Sequence, residues 1–245
     1  MGLFFKKNKK TEDAIDMEKL PNCVAFIIDG NGRWAKKRGM PRMFGHKAGI
    51  DAVRDTIENA HKLGIKELIF YCFSTENWNR PKEEVDGLFK LFREFINRDA
   101  ESYVARGFKI SLLGDMSKIP QDIIEKAKII ESKPIDKLEM KVGICVNYGG
   151  RNDIVHAVNT LLESGMKNIT EKDFSNYLYT HDFSDPDLII RTSGEQRISN
   201  FLLYQMAYSE FYFVDTYWPD FDEQELKKAI INFQKRNRRF GAIKE

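Results

Sequence analysis

The chain has almost no excess of charge of either sign: 39 Lys and Arg stand against 37 Asp and Glu, a formal net charge of +2 over 245 residues. A protein whose main partner is nucleic acid needs a basic excess to neutralise phosphates, so that role is excluded, although a local basic pocket is not. Cysteine is scarce too. Cys23, Cys72 and Cys145 each sit in an apolar, strand-like run, and no CxxC occurs. An odd count at wide spacing leaves no disulfide framework or zinc site, and points to buried thiols in a reducing cytoplasm. No apolar run approaches the ~18–20 residues of a membrane span. The first ten residues, MetGlyLeuPhePheLysLysAsnLysLys, carry charges after the apolar residues and no apolar core beyond them, unlike a secretory signal. Residues 1–20 read as a flexible basic tail. A weak peripheral contact of Leu3, Phe4 and Phe5 with an anionic membrane surface is the other reading.

What is present is an alternation of apolar runs and helical patterns. Strand-like runs fall at 23–28, 67–73, 108–113, 141–147 and 187–191, with a weaker one at 211–214. Val53, Ile57, Ala60 and Leu63 mark one helix face, which Gly64 ends. Leu88, Leu91, Phe92, Phe95 and Ile96 mark a second helix after Pro81, and Ile123, Ile124 and Ala127 a third. Ile154, Val155, Val158 and Leu161 read as the apolar face of a fourth, and Asp222 with Glu225 as a capping pair before the last. Strict alternation with near-continuous apolar strands predicts an α/β fold: one domain over 21–245, with a mostly parallel sheet of about six strands flanked by helices. Ligands of such sheets bind outside the carboxyl ends of the strands, where Asp29, Ser74, Asn147 and Arg191 fall.

The chemistry collects at those ends. ValAlaPheIleIle at 24–28 runs into AspGlyAsnGly and a basic, helix-compatible segment. Gly30 and Gly32 allow amide groups to turn toward an anion, and Arg33 adds a fork suited to phosphate oxygens. The loop is neither a GxGxxG fingerprint nor a P-loop. Asp29 would repel a phosphate there unless a divalent cation stood between them. In residues 73–81, Ser74 and Asn77 offer groups for substrate binding or proton relay, Glu76 could orient them and Arg80 could bind phosphate, while Trp78 serves equally as a packing anchor. Arg191, Arg197 and Ser199 surround a Gly-containing turn and make a second anion site. His46, read as preceding the first helix, stands with Arg42 as a further phosphate donor. Glu210, among aromatic residues, is either paired, metal-bound or exposed at an edge. Five arginines (33, 42, 80, 191 and 197) exceed the need of one monophosphate; two diphosphates and one Mg2+ would account for them.

Five segments in order, AspGlyAsnGlyArgTrpAlaLys, GlyHisLysAlaGly, SerThrGluAsnTrp with ArgPro, AsnTyrGlyGlyArg, and ArgThrSerGlyGluGlnArgIleSerAsnPheLeuLeuTyrGln, resemble the cis-prenyltransferases, closest to the bacterial undecaprenyl diphosphate synthases. The resemblance runs from Pro21 to the C-terminus. It implies condensation of isopentenyl diphosphate onto farnesyl diphosphate with cis double bonds, giving undecaprenyl diphosphate, the precursor of the lipid carrier for bacterial cell-wall polysaccharides. It implies Asp29 as the essential carboxylate that engages Mg2+. Gly30, Asn31, Gly32, Arg33, Arg42 and His46 would hold the primer diphosphate, and Trp34 would line the primer site. Ser74, Thr75, Glu76, Asn77, Trp78 and Arg80 would form the loop over the substrates. Asn77 is the residue placed near the departing proton, although a neutral amide is a poor base and a diphosphate oxygen or relayed water is the alternative acceptor. Arg191, Arg197, Ile198 and Ser199 would bind isopentenyl diphosphate, and Glu210 would be a metal ligand reaching across a homodimer interface. The growing chain would need an apolar channel, and the helix carrying Leu88, Phe89, Leu91, Phe92 and Phe95 either lines it or is plain core.

The DDxxD motif of the all-helical trans-prenyltransferases does not occur; AspPheAspGlu at 220–223 lacks that spacing. Ser193 departs from the glycine of many relatives. A medium-chain or short product stays open. So does a non-catalytic partner subunit, although the intact Asp29 loop argues against it. An unrelated phosphate-binding α/β enzyme is the third reading.

Overall fold

The computed structural model describes residues 14–238. Leu3, Phe4, Phe5 and the neighbouring lysines lie outside the described residues. Residues 14–20 of the expected tail are described, and they are tied down: Gln234 donates to the carbonyls of Asp16 and Lys19.

Six strands, β1 (Cys23–Ile27), β2 (Glu67–Ser74), β3 (Phe108–Leu113), β4 (Met140–Tyr148), β5 (Leu188–Arg191) and β6 (Glu210–Phe213), form one sheet in the order β3-β4-β2-β1-β5-β6. Every pairing is parallel. Helices α1 (Asn31–Lys37), α2 (Arg42–Leu63), α3 (Lys82–Phe95), α4 (Glu101–Ala105), α5 (Gln121–Glu131), α6 (Gly150–Glu163) and α7 (Glu171–Ser175) lie in the connections, and α8 (Glu223–Gln234) follows β6. Prolines 41, 81 and 120 sit at the N-caps of α2, α3 and α5, where no helical N–H is lost. Gly64 ends α2 in the left-handed region as the sequence predicts. A π-turn over Ile96–Ala100 joins α3 to α4.

The period-two geometry of the strands sorts the core into two layers. Val24, Phe26, Leu68, Phe70, Val142 and Ile144 face the helices, where Phe26 and Phe70 stack at 5.1 Å and Trp218 and Phe221 close over them. Ala25, Ile27, Ile69, Tyr71 and Cys145 face the opposite side, covered by Phe201, Leu202, Tyr179 and Phe183. Each fully buried large side chain contributes roughly 1.5–3 kcal/mol of transfer free energy.

The fourth helix has the expected period but a different inward face. In α6, Ala157 and Leu161 are buried while Val155, Val158 and Leu162 are 57%, 42% and 71% exposed. The buried side also carries Asp153, whose carboxylate accepts from Tyr148 Oη (2.7 Å), Gln205 Nε2 (2.9 Å) and the Tyr179 amide (2.8 Å). Three donors compensate that buried carboxylate, so Asp153 shares the inward face of α6 with Gly150, Ala157 and Leu161.

Chain order runs from β1 outward to β2 on one side, then returns to β5 on the other, so the crevice of the sheet opens above β1. Close packing of α1 and α2 builds the wall of that crevice. A Cβ at Gly45 would come within 1.9 Å of the Asn31 carbonyl oxygen, and one at Gly32 would meet the Arg42 guanidinium at 2.9 Å. Gly45→Ala is therefore expected to push α1 away and cost about 1–3 kcal/mol of stability, read as a lowered melting temperature with retained helical circular dichroism.

Candidate active site

Asp29 follows β1, and its amide donates to Thr192 Oγ1 (3.1 Å) while its carbonyl accepts from the same hydroxyl (2.7 Å). This exchange locks the end of β1 to the segment after β5. Gly30 then adopts φ 106°, which turns the chain into α1 and aims its first amides over the strand ends. Asp29 Oδ2 accepts from Arg191 Nη2 (3.0 Å) and lies 3.1 Å from Arg33 Nη2. Burial alone would raise the Asp29 carboxyl; the Arg191 hydrogen bond and the Arg33 charge outweigh it and hold the group below the ordinary carboxylate range. Both arginine contacts use one oxygen, which leaves Oδ1 for another ligand.

Arg191 is the centre of the expected second anion site. The residue is 3% exposed, and it donates to Ser199 Oγ (2.8 Å) and to the Arg197 carbonyl. Its Nε has no partner, and Asn31 Oδ1 and Ser193 Oγ, buried beside the same cleft, have none either. Three such atoms leave polar capacity at the cleft that a polar ligand or water can meet. Ser193 has φ 84° and Ser199 φ 49°. These are left-handed backbones that cost a non-glycine residue roughly 1–3 kcal/mol and gather at ligand sites. Position 193, the departure from the glycine of relatives, is thus one where glycine would be unstrained.

The cleft is a cavity of about 360 Å3 lined by Asp29, Gly30, Asn31, Gly32, Arg33, Arg42, His46, Ser74, Asn77, Arg80, Arg191 and Ser199, with Ile27, Ile28, Tyr71 and Cys72 beneath. Most of the residues expected from sequence are thereby in one place. His46 lies within α2 rather than before it, and is buried with Nε2 3.3 Å from Glu84 Oε1. Burial lowers its pKa, with Glu84 opposing. Asn77 Oδ1 accepts from the Ser74 amide (3.2 Å), which orients the side chain and uses one of its two lone pairs. Glu76 accepts from Asn200 Nδ2 (3.0 Å), and Thr75 lies against Gly149. Trp78 anchors its loop, donating to Asn147 Oδ1 (2.8 Å) and stacking on Phe89.

Seven expected residues do not line the cleft: Thr75, Glu76 and Trp78 of its loop, and Trp34, Arg197, Ile198 and Glu210, which stand apart from it. Trp34 donates to Asp220 Oδ1 (2.7 Å) under the Arg38 guanidinium. The Arg197 side chain is 61% exposed and paired with Glu195, and Ile198 does not line the cavity. Glu210 starts β6, at the end of the sheet opposite Asp29, and pairs with Arg236 at 2.7 Å. Within one chain, Asp29 and Glu210 do not meet. Among the described residues no three His, Cys, Asp or Glu groups converge as a metal cage. Mg2+ needs no such cage, because one carboxylate plus substrate phosphates and water suffices, and Asp29 Oδ1 at a diphosphate cradle fits that.

Sequence reading missed Glu84, Glu195, Tyr71 and Cys72. Glu84 bridges Arg42, Arg80 and His46, and Glu195 receives Arg33 at 2.9 Å. Burial pushes the Cys72 thiol up to about 12. The packing of α2 against α3 brings Glu84 to the site, whereas Tyr71 and Cys72 reach it from β2 and Glu195 from the turn after β5.

A family model described as "Putative undecaprenyl diphosphate synthase" matches residues 27–241. Isoprenyl transferase of Fusobacterium nucleatum is 48% identical over 229 residues, covering 93% of this chain and 99% of that one. The chain belongs to the cis-prenyltransferase family. Isoprenyl transferase of Clostridium perfringens is 44% identical and covers both chains fully. Lavandulyl diphosphate synthase of Lavandula x intermedia, solved with dimethylallyl diphosphate, superposes with a TM-score of 0.86 at 37% identity, over 91% of this chain and 99% of that one. A probable undecaprenyl diphosphate synthase of Campylobacter jejuni gives 0.76 at 29%, over 90% and 98%. The chain is thus an enzyme of cis-prenyl chain elongation, and the six-stranded parallel fold expected from its sequence is the fold of these prenyltransferases.

The Asp29 pairing carries a pH signature. A carboxyl held below its ordinary value adds stability that is complete above the unfolded value of ~3.9 and is lost as pH falls through the folded one. Asp29→Asn should therefore melt below wild type at pH 7, and the gap should close in melting curves taken below about pH 4.

Proposed function

We propose that this cis-prenyltransferase extends farnesyl diphosphate with successive isopentenyl diphosphate units, in a Mg2+-dependent reaction that ends at undecaprenyl diphosphate. The observation that carries the reading is a charge-segregated cavity. The cationic cleft shares Ile28, Asn31, His46 and Cys72 with an apolar pocket of about 70 Å3 lined by Ile50, Val53, Leu88, Leu91, Phe92, Phe95 and Ile144. That pocket in turn shares Phe92, Phe95 and Ile144 with a smaller void of about 10 Å3 against Ile110, Leu112 and Ile130. A head group held by arginines beside an apolar passage suits an amphiphile with a diphosphate at one end and a hydrocarbon at the other. The expected product channel follows this line, between α3 and the strands β3 and β4.

In this reading the primer diphosphate lies on the amides of Gly30, Asn31 and Gly32, with Arg33, Arg42, His46 and Arg80 around it. Isopentenyl diphosphate lies on Arg191 and Ser199, with Arg197 and Ile198 swinging in from the exposed turn. Cleavage of the carbon–oxygen bond leaves an allylic cation and concentrates negative charge on the departing diphosphate. Fixed guanidinium groups and helix-start amides stabilise that charge where it develops. Mg2+ on Asp29 would neutralise diphosphate oxygens. Asn77 Nδ2 can hold an oxygen near the condensing unit, but a neutral amide is a poor base and leaves the proton to a diphosphate oxygen or a water.

The narrowness of the void beyond Phe92, Phe95 and Ile144 supports a second reading, a shorter cis-prenyl product. The same fold serves a lavandulyl diphosphate synthase, so fold alone leaves product length open. The separation of Glu210 from Asp29 favours a homodimer in which a second copy brings a Glu210 to the site. The exposed apolar side chains Val155, Val158 and Leu162 of α6 supply a surface for it. Among the described residues no helix is long and apolar enough to cross a membrane. The cytoplasmic, weakly membrane-associated placement is part of this proposal and fits a hydrophobic product.

Incubation with farnesyl diphosphate, labelled isopentenyl diphosphate and Mg2+ should give a ladder that EDTA abolishes. An endpoint near eleven isoprene units, about eight additions to a three-unit primer, supports undecaprenyl diphosphate, and a shorter endpoint selects the second reading. Asp29→Ala should lose at least ~1,000-fold in turnover while keeping its circular dichroism; an active, folded variant removes Asp29 from the mechanism. The double variant Val158→Glu, Leu162→Glu should sediment as a monomer where wild type sediments as a dimer.

A further inference from the structure

Three cationic or donor groups of the primer side turn toward one carboxylate that does not line the cleft. Glu84, on the first turn of α3, receives Arg42 Nη2 at 3.0 Å, Arg80 Nη1 at 3.3 Å and His46 Nε2 at 3.3 Å, all on Oε1. The Glu84 side chain is 12% exposed and His46 8%, so this is a partly desolvated cluster. Arg42, His46 and Arg80 line the cavity; Glu84 stands behind them. Burial would raise the Glu84 carboxyl, and Arg42, Arg80 and His46 together hold it below its ordinary value, so it stays an anion. Arg80 is itself drawn below its usual value by burial, and the Arg42 charge adds to this against the pull of Glu84. Arg42 and Arg80, whose side chains are 59% and 33% exposed, thus share one oxygen, with donor capacity left toward the cleft.

We propose that Glu84 is a tethered counter-anion that competes with the bound diphosphate for Arg42, Arg80 and His46, and so speeds departure of pyrophosphate after each condensation. The inference rests on the diphosphate reading of the cleft. A sequential elongating enzyme meets a specific difficulty. The cations that stabilise the leaving diphosphate also retain it, and the site must empty before the next round. A carboxylate fixed a few ångströms behind those cations repels the bound diphosphate. It also supplies the arginines with an acceptor as they let go, so they are never left uncompensated. Stabilisation of the transition state is kept by donors facing the cleft, while the product complex is made less stable.

The opposite role is a brace: Glu84 could hold Arg42 and Arg80 in place and thereby strengthen diphosphate binding. The two roles differ in sign. Glu84→Gln keeps the shape and an acceptor oxygen but removes the charge, and Glu84→Ala removes both. Inorganic pyrophosphate is titrated calorimetrically into wild type and each variant, and its inhibition of elongation is measured in steady state. The counter-anion role requires pyrophosphate to bind roughly tenfold more tightly to Glu84→Gln, with a lower primer KM and a lower kcat as release becomes limiting. Glu84→Ala should shift in the same direction. Unchanged or weaker pyrophosphate binding in a folded Glu84→Gln variant makes Glu84 a brace and overturns the proposal alone. Wild-type protein that binds no pyrophosphate overturns the diphosphate reading of the cleft, and this proposal with it.

Discussion

A guanidinium buried at the end of a central strand has to be compensated, and the site is organised around that requirement. Arg191 ends β5 beside β1, where the sheet excludes water, and its charge is met by Asp29, Ser199 Oγ and the Arg197 carbonyl. An isolated buried cation would cost several kcal/mol, and breaking such a pair typically costs about 3–5. Asp29 therefore cannot wander, and the Thr192 hydroxyl fixes the backbone on which it sits. The turn that returns a serine hydroxyl and a carbonyl to the guanidinium must bend sharply, which explains left-handed backbone at Ser193, Ser199 and Asn200. What remains unmet is the Nε group and one oxygen of Asp29. Strain and missing partners occur together here, which is the pattern expected of a pocket built to take a ligand.

The strands and their polar terminal residues were legible because a parallel sheet writes itself as apolar runs ending in turn residues. Asp29, Ser74, Asn147 and Arg191 could be placed at one edge from that rule alone. Glu84 was not legible. It lies in LysGluGlu at the start of α3, which reads as ordinary acidic residues at a helix N-terminus, and its role arises only where α2 crosses α3. His46 was misplaced for a related reason. Its helix begins at Arg42 after Pro41, and the glycines at 45 and 49, poor helix formers, hid the first two turns. Those glycines are there because α1 packs too closely for a Cβ. The face of α6 failed through Asp153: hydrophobic periodicity assumes that charge points outward, and three internal donors reverse it.

Trp34 and Arg197 show how a motif can be right in position and different in direction. Trp34 follows Arg33 on α1, yet 100° of helical rotation separates neighbours and carries its indole to Asp220. Arg197 is on the correct turn, but its backbone serves Arg191 while its side chain takes Glu195 in solvent. In the proposed reading of two bound diphosphates there is reason to keep one cation outside until substrate arrives, since four arginines already line the cleft and a fifth would raise their mutual repulsion.

That repulsion also explains the distribution of carboxylates. Asp29 lies between Arg191 and Arg33, Glu195 between Arg33 and Arg197, and Glu84 between Arg42 and Arg80. Each acid joins two cations, so the site alternates charges rather than presenting a block of positive ones. That arrangement still leaves four arginines lining the cleft. In the proposed reading it would also moderate the strength of binding, because a diphosphate would gain the arginines only against the acids behind them. Tight binding of a leaving group would halt an enzyme that must repeat the same step, and the counter-anion role proposed for Glu84 answers that requirement.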